Sequence, residues 1–241
     1  MRHTDLKNFG TAIDEQGSVF TPPTLHWDGA ISKVDAQSGK VLQRLVFPAK
    51  SAKKATQRVR EVLWHGNELY VGRVADPGYI SVVDTKTFKL KTEIKNAGKW
   101  VTGIIYSPVT ERIYAANGSG EILVINPRTH RIEKRWTAGD GKEYLFLNMA
   151  EDPSTGRLFV TDDSKGKATL VFDERTGKVI AATGDSLGIK FDAKRNEIFI
   201  SQRESKRVLQ LDATTYAVKN SWSFEQNPNS LLIDRITIPC M

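Results

Sequence analysis

Cysteine occurs once in these 241 residues, at Cys240, so neither a disulfide framework nor a cysteine-built metal site can be assembled. No run approaches the ~18 apolar residues that a spanning helix needs, which excludes membrane insertion by a helix. The opening MRHTDLKNFG lacks the apolar stretch of a secretory signal. Read as written, the chain stays in the cytoplasm. Histidine is scarce. His3, His26, His65 and His130 fall in the tail, a loop and two turns, with a spacing that sets none beside another, so unpaired surface histidines are expected and no metal centre. There is no G-x-S-x-G nucleophile elbow, although a triad built from distant positions stays open. A helical period of useful length is missing throughout.

What is present is alternation. Hydrophobic residues make up 39% of the chain and charged residues 26%, ordinary values for a soluble domain. Glu121 to Trp136, EILVINPRTHRIEKRW, reads as two short strands. The first stops at Asn126-Pro127, Arg128-Thr129-His130 turn the chain, and Arg131 to Trp136 alternate again, which is the hairpin signal. The chain writes this unit five times, each with an Asx residue followed three positions later by Ser or Thr. The pairs are Asp35 with Ser38, Asp84 with Thr87, Asn126 with Thr129, Asp173 with Thr176, and Asp212 with Thr215, at steps of 49, 42, 47 and 39 residues. These side chains are expected to bond local backbone and pin the turn rather than to hold a ligand.

A recurrence near ~40–45 residues with only strands and turns between is the mark of four-stranded propeller blades. Inner strands are expected at Phe9 to Ile13, Arg60 to Trp64, Val101 to Tyr106, Tyr144 to Met149 and Leu187 to Phe191. Their partners run over Ser18 to Thr21, Glu68 to Val71, Arg112 to Ala116, Leu158 to Thr161 and Glu197 to Ser201. Each inner strand is the most apolar of its repeat, as expected if it lines the buried centre of a blade. Asn227 to Ile233 reads as one further inner strand, after which DRITIPCM fits no part of the pattern. The expectation is therefore an all-β fold, a single β-propeller domain over 1–241 with an aberrant tail at 233–241, holding five complete blades plus one inner strand. A closed five-bladed ring is the alternative. The lone last strand would lie with an unpaired apolar edge, an aggregation hazard.

The net charge of +7 favours anionic partners. Asp162-Asp163, with Lys165 and Lys167 behind it, reads as a solvated, internally neutralised loop, since calcium wants more oxygen ligands. The basic run KSAKKATQRVRE carries Lys50, Lys53, Lys54, Arg58 and Arg60 against Glu61 alone. It joins one blade to the next, on the face where second and third strands connect. Topology puts Arg73, Lys99, Trp100, Lys142, Tyr144 and Arg203 on that same face. Cations mixed with exposed rings suit single-stranded nucleic acid, the charges taking phosphates and the rings stacking on bases.

ERIYAANGSGEILVINPRTHRIEKRW and NEIFISQRESKRVLQLDATTYAVKNSW resemble the YVTN-type, WD40-like repeats of bacterial seven-bladed propellers. TEIKNAGKWVTGI, DGKEYLFLNM, RLFVTDDSK and NPNSLLI resemble the corresponding stretches of YncE-like proteins. The resemblance covers about residues 3 to 233. It implies an exported, periplasmic, non-enzymatic propeller, in a family with which nucleic-acid binding is associated. It also implies a homologue shortened at both ends, without an export signal, a leading blade and the rest of its last blade. The expected function is binding of single-stranded DNA or another polyanion on the basic face, with no cofactor. A protein-docking scaffold and a metal-dependent hydrolase or lactonase are the alternatives.

Overall fold

Each Asx turn closes a hairpin as its chemistry requires. The Asp35 Oδ1 atom accepts the Ser38 N–H at 2.6 Å, and Asp84 takes the Thr87 N–H at 2.7 Å and its hydroxyl at 2.9 Å. Asn126 accepts from Arg128 and Thr129, Asp173 from the Thr176 N–H and hydroxyl, both at 2.8 Å, and Asp212 from Thr215. These carboxylates and the amide are spent on the turn. Their hydrogen bonds hold the Asp35, Asp84, Asp173 and Asp212 carboxyls below the usual range.

The computed structural model describes residues 10–22, 29–48, 58–164, 168–228 and 231. Lys50, Lys53, Lys54, His3, His26, Lys165, Lys167, Cys240 and the expected strand and tail from Ser230 onward, Leu231 excepted, lie outside them. The described residues form twenty strands and no helix. The first sheet is β1 (Ala12–Ile13), β2 (Ser18–Thr21), β3 (Ala30–Asp35) and β4 (Val41–Val46). The second is β5 (Arg58–His65), β6 (Glu68–Val74), β7 (Ile80–Asp84) and β8 (Lys89–Ile94). The third is β9 (Val101–Ser107), β10 (Arg112–Asn117), β11 (Ile122–Asn126) and β12 (Arg131–Trp136). The fourth is β13 (Phe146–Asp152), β14 (Arg157–Asp162), β15 (Thr169–Asp173) and β16 (Val179–Thr183). The fifth is β17 (Gly188–Asp192), β18 (Glu197–Gln202), β19 (Arg207–Asp212) and β20 (Val218–Ser223). Within every sheet the strands neighbour one another in chain order. Five consecutive antiparallel four-stranded meanders without a helix are propeller blades, the fold class expected from the repeat.

By internal contacts the chain divides into Met1–Phe146 and Leu147–Met241. In the first unit, Phe20 and Ile31 of the first sheet pack with Val62, Leu69, Val71 and Phe88 of the second. On its other face the second sheet packs Tyr70, Ile80 and Val82 against Ile104, Ile113, Leu123 and Ile125 of the third. In the second unit, Phe159 and Val171 meet Ile198, Ile200, Leu209 and Leu211. The most buried strands are the two middle ones rather than the inner one: β6 and β7 bury nearly every residue, whereas β5 buries only Val59 and Val62. A middle strand is flanked on both edges, and sheets stacked on both sides cover both its faces. Apolarity of the inner strand does not measure that.

The residue after the Ser/Thr of each Asx turn adopts left-handed backbone. Glycine fills the position at Gly39 (φ 71) and Gly177 (φ 72), but Phe88 (φ 52), His130 (φ 55) and Tyr216 (φ 61) fill it elsewhere. In all three the side chain reaches the preceding sheet. Phe88 lies 6.2 Å from Phe20, and Tyr216 meets Phe159 edge-on at 6.2 Å. His130 Nε2 stands 2.8 Å from Glu68 Oε2. The backbone strain of a non-glycine residue is here exchanged for a side chain that fastens one blade to another.

Glu68 gathers donors from both sheets: the Tyr70 hydroxyl at 2.8 Å, the Lys91 ammonium at 2.5 Å and His130. Burial pushes its carboxyl up, but hydrogen bonds from Lys91, His130 and Tyr70 outweigh burial and hold it below the usual range. Beside it, burial pushes the His65 imidazole down, with the Glu68 charge opposing. The folded state thus binds the His65 proton less readily than the unfolded chain, whose ordinary value is 6.5. Stability falls as pH drops through that value, and falls again below 4.5, the ordinary value for Glu68, as the Glu68 pairings are protonated away. Melting temperatures recorded across this range are expected to decline less in His65→Phe than in the parent near pH 6. Identical slopes there would assign the decline to other groups.

Candidate nucleic-acid interface

Residues 95–100 leave β8 and enter β9 through three left-handed residues, Asn96 (φ 56), Gly98 (φ 75) and Trp100 (φ 53). Two neighbouring loops lace this segment in place. The Ala97 N–H donates to Gly78 O at 2.9 Å and the Trp100 N–H to Ala75 O at 2.9 Å, while Gly78 N–H bonds Gly98 O. From the loop between β10 and β11, the Asn117 Nδ2 atom donates to Ala97 O at 3.0 Å. The Lys99 N–H donates to Ser119 Oγ at 3.0 Å. Position 98 needs glycine, because a Cβ there would strike the Asn117 amide.

The outcome is a fixed, partly exposed indole. Trp100 is 37% exposed, and the Lys99 ammonium lies 4.4 Å from its ring centroid. A Cβ on Gly118 would come within 3.1 Å of the indole, and one on Gly120 within 2.9 Å of the Tyr144 Cβ. The same short loop therefore brings Trp100 and Tyr144 together. Tyr144 donates its hydroxyl to Asp140 Oδ2 at 2.9 Å and packs on Phe146 at 5.5 Å. Lys142 is exposed, with its ammonium 3.2 Å from Asp140.

Other expected residues lie elsewhere. Arg60 Nε donates to Thr102 O at 3.1 Å, so this guanidinium joins the second sheet to the third. Arg58 is half-buried in β5, opposite Val74. Arg203 belongs to the second unit, where it is 3.9 Å from Asp163. Arg73 has to be corrected. It is 0% exposed, with its guanidinium 4.4 Å from the Phe47 ring and 5.2 Å from the Tyr79 ring, and offers no surface charge. Alternation within β6 carries the signal, since Leu69, Val71 and Arg73 point the same way and the first two are core.

Asp162 also departs from expectation. It is buried and accepts from the Ser164 N–H and hydroxyl rather than standing in a solvated loop. His65 and His130 are engaged rather than unpaired. Among the described residues no group of three or more His, Cys, Asp and Glu is placed to hold a metal ion.

Five antiparallel four-stranded meanders, each with its strands in chain order, define the fold class as a β-propeller. No protein-family model matches the chain. It is 35% identical over 246 residues to the uncharacterized protein YncE of Salmonella typhimurium, covering 96% of this chain and 67% of that protein. It is 34% identical, with the same coverage, to YncE of Escherichia coli K12. A third relative, antigen Lp49 of Leptospira interrogans, is 23% identical over 96% of this chain and 53% of its own length. The chain belongs to the YncE-like family.

Proposed function

We propose that this protein is a non-enzymatic binding protein that holds single-stranded DNA, or another anionic polymer, on the surface formed by Lys99, Trp100, Tyr144 and Lys142. The observation that carries the reading is the Lys99–Trp100 pair: an indole held in one orientation by left-handed backbone, partly open to solvent, with an ammonium over it. A base stacks on the ring and the adjacent phosphate meets the charge. Neither contact selects a sequence, because every base has a π-face and every phosphate a charge.

Binding of a fluorescent oligothymidylate, titrated over a range of salt, tests the reading. Affinity is expected to fall steeply with salt, and Lys99→Ala or Lys142→Ala to reduce the slope by about 0.7 each, as for one phosphate contact on a single strand. Trp100→Ala is expected to cost about 1–3 kcal/mol at every salt concentration, the worth of one stacked base. An oligonucleotide that fails to bind, or binds equally well without Trp100, would overturn it.

A further inference from the structure

At the other end of the second and third sheets, where the Asx turns lie, a cleft of about 710 Å³ opens. This is within the size range of small-molecule sites, roughly 300–1,000 Å³. We infer that this cleft binds a small planar anion, a flat ring carrying a phosphate or carboxylate group.

The argument rests on which hydrogen-bonding groups are spent. Three carboxylates line the cleft; two are held, while Glu111 is largely exposed and only 3.8 Å from Arg128. Glu68 accepts from Lys91, Tyr70 and His130, and Asp84 Oδ1 accepts from the Lys86 and Thr87 N–H groups and the Thr87 hydroxyl. The donors are not used up. Among the described residues the Lys91 ammonium hydrogen-bonds Glu68 only, with the Asp84 charge also acting on it, and its side chain lines the cleft and is 51% exposed. Arg112 commits Nε to Glu133 and Nη1 to the Thr110 and Glu111 carbonyls, and its Nη2 has no partner among the described residues. Among the described residues the Arg128 side chain has only a loose contact with Glu111, 3.8 Å, and both side chains are largely exposed. A ligand entering here meets unspent cationic donors, which favours an anion.

The flat part of the ligand is specified by the wall. His65 lies over Tyr106 with ring centroids 3.8 Å apart and planes 25° from parallel, and both line the cleft. A third ring can extend this stack. Burial lowers the imidazole's pKa from its ordinary value, with the Glu68 charge opposing, which favours the uncharged ring as a stacking face. The floor is preorganised, because Glu68 ties the second sheet to His130 of the third, and the Tyr70 hydroxyl, which donates to Glu68, also lies 3.1 Å from Pro127 O. A ligand has no loop to order on entry, which lowers the cost of binding. The site stands at the opposite end of the strands from Lys99 and Trp100 and is independent of polymer binding there.

Two sources share this chemistry, nucleoside monophosphates and aromatic carboxylates, and the experiment separates them. The 241-residue protein is titrated by NMR and calorimetry with AMP and with 4-hydroxybenzoate, and with their halves alone, adenosine and inorganic phosphate for the first and phenol and acetate for the second. At least one of the two combined probes is expected to bind, at least tenfold more tightly than either half, and to shift the ring protons of His65 and Tyr106. Whichever combined probe binds more tightly identifies the source. Lys91→Gln with Arg128→Gln, which keeps an amide to serve Glu68, is expected to weaken binding at least tenfold. Lys99→Ala is expected to leave it unchanged. No binding by either combined probe at millimolar concentration overturns the inference. So does binding that phosphate alone matches, or binding the double variant retains. The shifts in the unmutated protein decide the location should a variant fail to fold.

Discussion

Phe88→Ala is expected to lower stability by about 3–5 kcal/mol, the usual cost of removing a buried phenyl group and leaving its cavity. Phe88 is only 4% exposed and sits in the core shared by the first and second sheets. In a chain of this length that loss corresponds to a fall in melting temperature on the order of 10 °C. The backbone supplies a sharper test. With φ at 52°, any residue bearing a Cβ retains the left-handed penalty of roughly 1–2 kcal/mol, which glycine does not. Against that, glycine adds about 0.5–1 kcal/mol of unfolded-state entropy. Phe88→Gly is therefore expected to be no worse than Phe88→Ala and milder by up to about 1.5 kcal/mol, the reverse of their order in ordinary strand backbone. Urea melts of the two variants measure both quantities. A loss under 1 kcal/mol for alanine would show that the ring does not fasten the two sheets, and a glycine variant clearly less stable than alanine would show that the left-handed backbone carries no penalty here.

That arrangement marks where the sequence stops being readable. The Asx-x-x-Ser/Thr pairs are legible because their hydrogen bonds are local: Asp84 and Thr87 are three residues apart in sequence and 2.9 Å apart in space. Strand order and most strand limits follow from alternation, and the observed β2 and β10 differ from expectation by no more than one residue. The role of Phe88, His130 and Tyr216 is not legible in the same way. Glycine at the equivalent position in two repeats announces left-handed backbone, but a bulky ring in that conformation is recognised only once the neighbouring sheet is seen to receive it. The candidate interface divides along the same line. Lys99, Trp100 and Tyr144 come together because topology puts their loops at one end of the blades. Arg60 is drawn away by an acceptor 42 residues distant in sequence. The cleft was invisible for a related reason, since its character depends on which donors remain after Glu68 and Asp84 are satisfied.

The buried arginine yields the second large effect, and it separates core from interface. Arg73→Ala is expected to cost roughly 4 kcal/mol, from two desolvated cation–π contacts worth about 2 kcal/mol each, with further loss from the packing of the aliphatic stem. Its rings belong to different parts of the first unit, Phe47 following β4 and Tyr79 preceding β7, and the guanidinium lies over both. Nη1 also donates to Ser81 Oγ at 3.3 Å. Burial pushes this guanidinium's pKa down, opposed by Tyr79 and Glu93, so the site bears a desolvation cost that an uncharged side chain would avoid. Arg73→Met keeps the volume and gives up the charge, and it is expected to recover at least half of the alanine loss, because buried charges exchanged for well-packed apolar groups often cost little. Thermal melts give the stability order, arginine above methionine above alanine. Oligonucleotide titration of the methionine variant gives the second reading: its salt slope should match the parent's, whereas Lys99→Ala flattens it. A flattened slope in Arg73→Met would return this residue to the ligand surface and overturn its assignment to the core.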